Sequence, residues 1–329
     1  MSGFRLQDHL NMTHSALTES PNDLDLLAAA EIPLATPAWF AQALAQPRLQ
    51  GQTQVDGVEI NFLRWGDPQL PGVVLTHGFM AHARCWAFVA PLLAHKYCLV
   101  AFDLSGMGDS GWRESYDVAS RAEECQAVAK AAGLREKPAL VCHSYGGSVG
   151  LTAAMTEPAA WRSLIVCDMA MLTPGETSRF AEHRERRAQR SPTPHRLHAD
   201  FTSIRKRFRL APEQPCENEY LVDYMAYFSS RKTDAGYCWK FDPRILSMAD
   251  MRDDDWFHQV APNFLNLPIP KALIYGEHSE MLSAVGLAYL AEQSTGQVPL
   301  VQIPSAYHHV MLDQPLALAS SLDALLSTL

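Results

Sequence analysis

From residue 72 onward, short apolar runs alternate with stretches of helical period. GVVLTHG at 72–78 is followed by a helical pattern over 86–95, YCLVAFD at 97–103 by one over 117–132, and ALVC at 139–142 by one that begins almost at once. Unbroken apolar runs of this length suit strands buried on both faces, and strands separated by helices suit a parallel sheet. SLIVCDM at 163–169, KALIYG at 271–276 and LVQIP at 300–304 supply further strands. The fold class is therefore α/β, a mostly parallel sheet flanked by helices. Ahead of it, 52–54 and 58–64 flank Asp56-Gly57, a turn signal that predicts an antiparallel hairpin. Residues 1–50 are polar, carry Pro21, Pro33, Pro37 and Pro47, and show only short helical patterns at 24–30 and 38–45, which predicts an arm packed on the body or on a second subunit. Between Met171 and about Leu267 the alternation stops and a long, mostly helical, arginine-rich insertion replaces it. The expected division is an arm at 1–50, a core at 51–171 and 268–329, and a helical lid at 172–267.

Composition narrows the function classes. With 47% hydrophobic and 19% charged residues over 329, the chain can bury a large core. A net charge of -9 and no basic tail argue against general nucleic-acid binding, which needs clustered Lys and Arg. Seven cysteines include no C-x-x-C pair, and Cys98, Cys142 and Cys167 fall in predicted buried strands, so core thiols in a reducing compartment are expected rather than a metal site. The first residues lack a basic start and an apolar run, and no later run has the length of a membrane span. The expectation is a cytoplasmic protein with no membrane partner, no cofactor and no metal; a homodimer through the arm stays open.

The segment PALVCHSYGGSVG, 138–150, carries the candidate chemistry. An apolar strand ends at Ser144 and a helix follows directly, so the serine sits on a sharp strand-to-helix turn that closes only if the residues two before and two after are small. These are Cys142 and Gly146; cysteine departs from the usual G-x-S-x-G at its first position. A lone match to such a pattern is as readily chance as function, and its context is what gives it weight.

A serine hydroxyl needs a base within reach and a third group to orient that base. In sheets of this kind the order is serine, acid, histidine. Of thirteen histidines, His308 and His309 follow the last predicted strand in a loop, and His308 is the chosen base, with His309 left to surface or packing roles. His143, beside the serine at a buried strand end, reads as structural. For the acid, the loop after KALIY offers Glu277 and Glu280; Glu280 is preferred, and Asp168, at the end of the preceding strand, is the alternative, with loop anchoring as its more ordinary role. Oxyanion donors would be the backbone N–H groups of Tyr145 and of Phe79 in His77-Gly78-Phe79.

With these pieces the chain resembles the serine-nucleophile, helical-lid kind of α/β-hydrolase from about Val55 to Leu329. The resemblance rests on His77-Gly78-Phe79, on Asp103-Leu104-Ser105-Gly106-Met107-Gly108-Asp109-Ser110, on CHSYGG, and on His308 followed by Asp313-Gln314-Pro315. Two positions depart from the family. Ser279 stands where the acid is usually Asp, and a subgroup reading G-x-x-S-D would put the acid at Glu280. Tyr307 stands where glycine usually precedes the histidine. An aspartate nucleophile would imply epoxide or haloalkane chemistry, which serine argues against. The G-x-G within 103–110 lacks the third glycine of a dinucleotide site.

The resemblance implies a cofactor-independent hydrolase acting on a small-molecule carboxylic ester, thioester or lactone. Two other readings stay open: a carbon–carbon bond hydrolase on a diketone-like substrate, and a non-catalytic ligand receptor on the same fold. The arginines of the insertion (Arg179, Arg184, Arg186, Arg187, Arg190, Arg196, Arg205, Arg207 and Arg209, with Lys206) form a local cationic excess. They read first as a solvated face and second as a clamp for a substrate carboxylate.

Overall fold

The computed structural model describes residues 17–32, 34–135, 137–173, 176, 193–247 and 254–329. The strands are β1 (Thr18–Glu19), β2 (Leu49–Val55), β3 (Val58–Trp65), β4 (Gly72–Thr76), β5 (Cys98–Phe102), β6 (Ala139–His143), β7 (Leu164–Cys167), β8 (Ser230–Thr233), β9 (Gly236–Trp239), β10 (Lys271–Gly276) and β11 (Leu300–Ile303). Nine of them form one sheet in the order β1-β2-β3-β5-β4-β6-β7-β10-β11. The run from β5 to β11 is parallel, and β1, β2 and β3 extend it antiparallel at one end. All residues of β4, β5, β6 and β7 are buried, as expected of strands covered on both faces. The β2–β3 turn pairs Val55 with Val58 around Asp56 and Gly57, both at positive φ, the two-residue geometry that Asp-Gly favours.

One face of the sheet packs against residues 83–93 and the C-terminal helix Pro315–Thr328, with Trp86, Phe88, Leu93, Leu318 and Leu322 inside. The other packs against α-helices Val118–Ala131, Tyr145–Thr156 and Asp254–Asn266, with Cys125, Val128, Val149 and Phe264 inside. The chain leaves β4 toward β5 on one side and returns to β6 on the other. This reversal opens a crevice at the carboxyl ends of β4 and β6, the place where open α/β sheets hold ligands.

The arm lies on the body. Its helices Asp23–Ala29 and Ala38–Leu44 bury Leu27, Phe40 and Leu44 in the first core face. The fully buried Asp23 accepts hydrogen bonds from Arg48 at 2.5 and 2.7 Å, Arg84 at 3.1 Å and the Tyr224 hydroxyl at 2.5 Å. Arm, body and insertion thus meet on one carboxylate, which those cations hold below its usual pKa against the opposing cost of burial. The described part of the insertion has helices Phe201–Arg205, Glu219–Phe228 and Asp254–Asn266, but also the hairpin β8–β9. Residues 239–243 join the insertion to the body: Trp239 packs on Phe208 and Phe241 on His195 within the insertion, while Lys240 pairs with Asp109 at 2.7 Å and buried Asp242 accepts from the Tyr116 hydroxyl at 2.7 Å.

Candidate active site

Ser144 sits between β6 and the helix Tyr145–Thr156 at φ 53°, ψ -120°, a strained conformation for a residue with a side chain. Close packing imposes it. A Cβ on Gly146 would come within 2.5 Å of Thr76 Oγ1 and 2.7 Å of the His77 carbonyl, and one on Gly78 within 3.2 Å of Ser144 Cβ. Cys142 at the usual glycine position is accommodated from the helix side, because Gly150 leaves the room its Sγ occupies and a Cβ there would run into it.

His308 follows β11 and its ring is buried at 3% exposure. Its Nε2 lies 2.9 Å from Ser144 Oγ and its Nδ1 lies 2.8 Å from Asp168 Oδ1. Asp168, fully buried, also accepts from the Gly276 N–H at 2.8 Å and the Ser279 hydroxyl at 2.6 Å. With Asp168 as acceptor, Nδ1 carries the proton and Nε2 presents its lone pair to the serine hydroxyl. Ser144, His308 and Asp168 therefore form one continuous chain of hydrogen bonds.

The structure does not place Glu280 on this chain. Glu280 is exposed, and the position toward His308 Nδ1 is taken by Asp168. The reason is lateral: β7 and β10 are adjacent parallel strands, so the residue after β7 reaches the same edge as the loop after β10. Ser279, where the family usually has its acid, donates to the carboxylate that replaces it. Glu277 is spent elsewhere, accepting from the Ser305 N–H at 2.8 Å. The second departure also resolves: Ser305 takes the left-handed turn at φ 56°, so Tyr307 need not be glycine.

The neighbouring imidazoles are neutral. Burial foremost lowers His143 to about 3. Its Nε2 donates to the His308 carbonyl at 3.0 Å. His77, lowered to about 4 chiefly by burial, spans the loop after β4: its Nδ1 donates to the Gly78 carbonyl at 2.8 Å and its Nε2 accepts the Leu104 N–H at 3.0 Å. Asp103 Oδ1 accepts the Ala83 N–H at 2.6 Å from the far side of that loop. Phe79 and Tyr145 flank Ser144, their rings edge to face at 5.6 Å. Arg121, buried, donates to the Tyr145 hydroxyl at 2.7 Å.

A pocket of ≈ 70 Å³ opens on Ser144 and His308, walled mainly by apolar side chains that include Phe79, Met80, Phe208, Leu210, Met225 and Met311. Arg209 is the one described arginine of the insertion on its wall. Arg205 instead pairs with Asp223 and Glu219 on the surface. Arg179, Arg184, Arg186, Arg187 and Arg190 lie outside the described residues. Among the described residues, no helix is long and apolar enough to cross a membrane.

The profile of the alpha/beta hydrolase family matches residues 73–321. A fluoroacetate dehalogenase of Burkholderia sp. is 34% identical over 105 residues, 30% of this chain and only 34% of that protein's length. Monoacylglycerol lipase abhd6-B of Xenopus laevis is 23% identical over 271 residues, 79% of this chain and 76% of that protein. Among solved structures, the thioesterase domain from the curacin biosynthetic pathway superposes with a TM-score of 0.67 at 24% identity, covering 83% of this chain and 98% of that domain. Because the profile spans most of the chain, with the serine turn inside it, the protein belongs to the alpha/beta hydrolase family.

Proposed function

We propose that the protein is a serine hydrolase that cleaves a carboxylic ester, thioester or lactone through an acyl-enzyme on Ser144. The observation that carries this reading is the Ser144–His308–Asp168 chain, at 2.9 and 2.8 Å, ending on a carboxylate sealed from water. Ser144 Oγ attacks the carbonyl carbon while His308 Nε2 takes its proton, and Asp168 holds the ring and balances the imidazolium that forms. The carbonyl oxygen becomes an oxyanion facing the backbone N–H groups of Phe79 and Tyr145, the second at the positive end of a helix. His308 returns the proton to the leaving alkoxide or thiolate as the carbon–heteroatom bond breaks. Water then attacks the acyl-enzyme with His308 again as base, releasing the acid and restoring Ser144. The insertion at 172–267 serves as the lid over the pocket, and the arm at 1–50 braces it through Asp23.

The family contains hydrolases, but a shared fold does not by itself name a reaction. A fluorophosphonate probe forms its adduct only with an activated serine, and peptide mass mapping should place that adduct on Ser144. Turnover of a short-chain aryl ester should vanish with Ser144→Ala. A protein that turns the ester over with Ser144 unlabelled, or that still does so as Ser144→Ala, would overturn the assignment, and one inert to both probe and ester is a receptor.

A further inference from the structure

The N–H groups of the residues on either side of His308 bond to side chains from outside the sheet. The Tyr307 N–H donates to Asp313 Oδ2 at 2.8 Å, and the His309 N–H donates to Gln214 Oε1 at 3.0 Å. Gln214 closes the circuit, its Nε2 donating to Asp313 Oδ1 at 3.0 Å and Oδ2 at 2.9 Å. One carboxamide from the insertion thus bridges the residue after the histidine to the carboxylate that holds the residue before it. Four residues on, Asn218 Nδ2 donates to the Leu312 and Asp313 carbonyls at 2.8 and 3.1 Å. Just upstream, Phe208, Arg209, Leu210 and Ala211 line the pocket that opens on Ser144. A single stretch of chain therefore touches the substrate space at one end and the histidine loop at the other.

We infer that Gln214 is a positioning residue for the histidine base, through which docking of the insertion sets the reach of His308 to Ser144. The inference rests on the serine-hydrolase reading above. Both sides of the carboxamide are used, because its oxygen accepts from the His309 N–H while its nitrogen donates to Asp313, and an amide offers an acceptor and a donor side by side without titrating. Asp313 sits in a demanding environment. It faces Asp168, the Cys216 thiol, the Tyr307 N–H and Gln214, and burial foremost pushes its pKa up to about 6. A second acidic group set against it would share a proton with it rather than ionise independently.

Loss of the clip should act on the chemical step. Displacement of a catalytic group by about 1 Å costs on the order of 100-fold, so Gln214→Ala should lower kcat by about 10- to 100-fold with KM within about twofold. The rate of Ser144 labelling by fluorophosphonate should fall in parallel, since it reports base activation without the substrate's own binding. If Gln214 merely staples the insertion to the body, KM and thermal stability change while kcat and labelling rate do not. Gln214→Glu supplies a second readout, and it carries the test if Gln214→Ala does not fold. It keeps an acceptor for the His309 N–H but opposes a carboxylate to Asp313, so its kcat relative to wild type should rise as pH falls from 8 to 6. A flat ratio, or Gln214→Ala with kcat and labelling within about twofold of wild type, overturns the inference. Wild-type protein that resists labelling sinks the serine-hydrolase reading itself, whereas labelled wild type with an equally labelled Gln214→Ala sinks this inference alone.

Discussion

Replacing Asp168 by asparagine tests the acid assignment by exchanging one oxygen for an NH2 group in an unchanged volume. The three groups facing Asp168 are the His308 Nδ1–H, the Gly276 N–H and the Ser279 hydroxyl, and the serine's own oxygen is already engaged by the Met281 N–H at 3.1 Å. A carboxylate accepts from all three, while an amide accepts through one oxygen only. The backbone N–H of Gly276 cannot change its role, so the amide oxygen turns toward it and the NH2 turns toward His308. His308 must then accept at Nδ1 and carry its proton on Nε2, the atom 2.9 Å from Ser144 Oγ. In that tautomer the imidazole cannot take the serine proton. The expected loss is about 10⁴-fold in kcat, the size seen when a triad aspartate becomes asparagine with its geometry intact. That equals about 5.5 kcal/mol at about 1.36 kcal/mol per decade. Steady-state hydrolysis of p-nitrophenyl acetate measures it, with circular dichroism confirming the fold. Glu280→Gln, at an exposed position, should stay within about twofold. Retention of more than a tenth of wild-type kcat by Asp168→Asn, or a thousandfold loss in Glu280→Gln, would refute the reasoning.

Two stability predictions rest on the same neighbourhood. Gly150→Ala should destabilise by about 1–3 kcal/mol through overpacking against Cys142 Sγ, and Cys142→Gly should recover most of that loss in the double variant; additive effects in urea unfolding would show that the two positions are uncoupled. His82, in the turn after β4, is lowered to about 3 by burial first and then by Lys240 and Arg84. Because its folded pKa lies below the ordinary 6.5, the stability it contributes is present above pH 6.5 and is lost as pH falls toward 3. Between pH 8 and pH 5 the wild type should therefore lose about 2 kcal/mol more than His82→Asn, and parallel stability curves would rule this out.

Much of this protein was legible along the chain because the relevant physics is local. Buried strands declare themselves as apolar runs, and KALIYG coincides with β10 residue for residue. Asp117 accepts the Ser120 N–H at the start of its helix, and Asp56-Gly57 makes its hairpin turn. Ser144 and His308 could be singled out because each ends or follows a strand in a loop whose shape its own neighbours dictate. The carboxylate partner of His308 was not local. Asp168 and Glu280 both follow strands and both carry a carboxylate, and only the adjacency of β7 and β10 brings Asp168, with Ser279 behind it, onto His308. The same holds for Gln214, 95 residues from the backbone it holds, and for Gly150, whose missing side chain makes Cys142 tolerable at the turn. Sequence determined which elements form and which groups reach the carboxyl edge of the sheet. Tertiary structure decided which of those groups touch, because strand order and the docking of the insertion are set by packing between segments far apart in the chain.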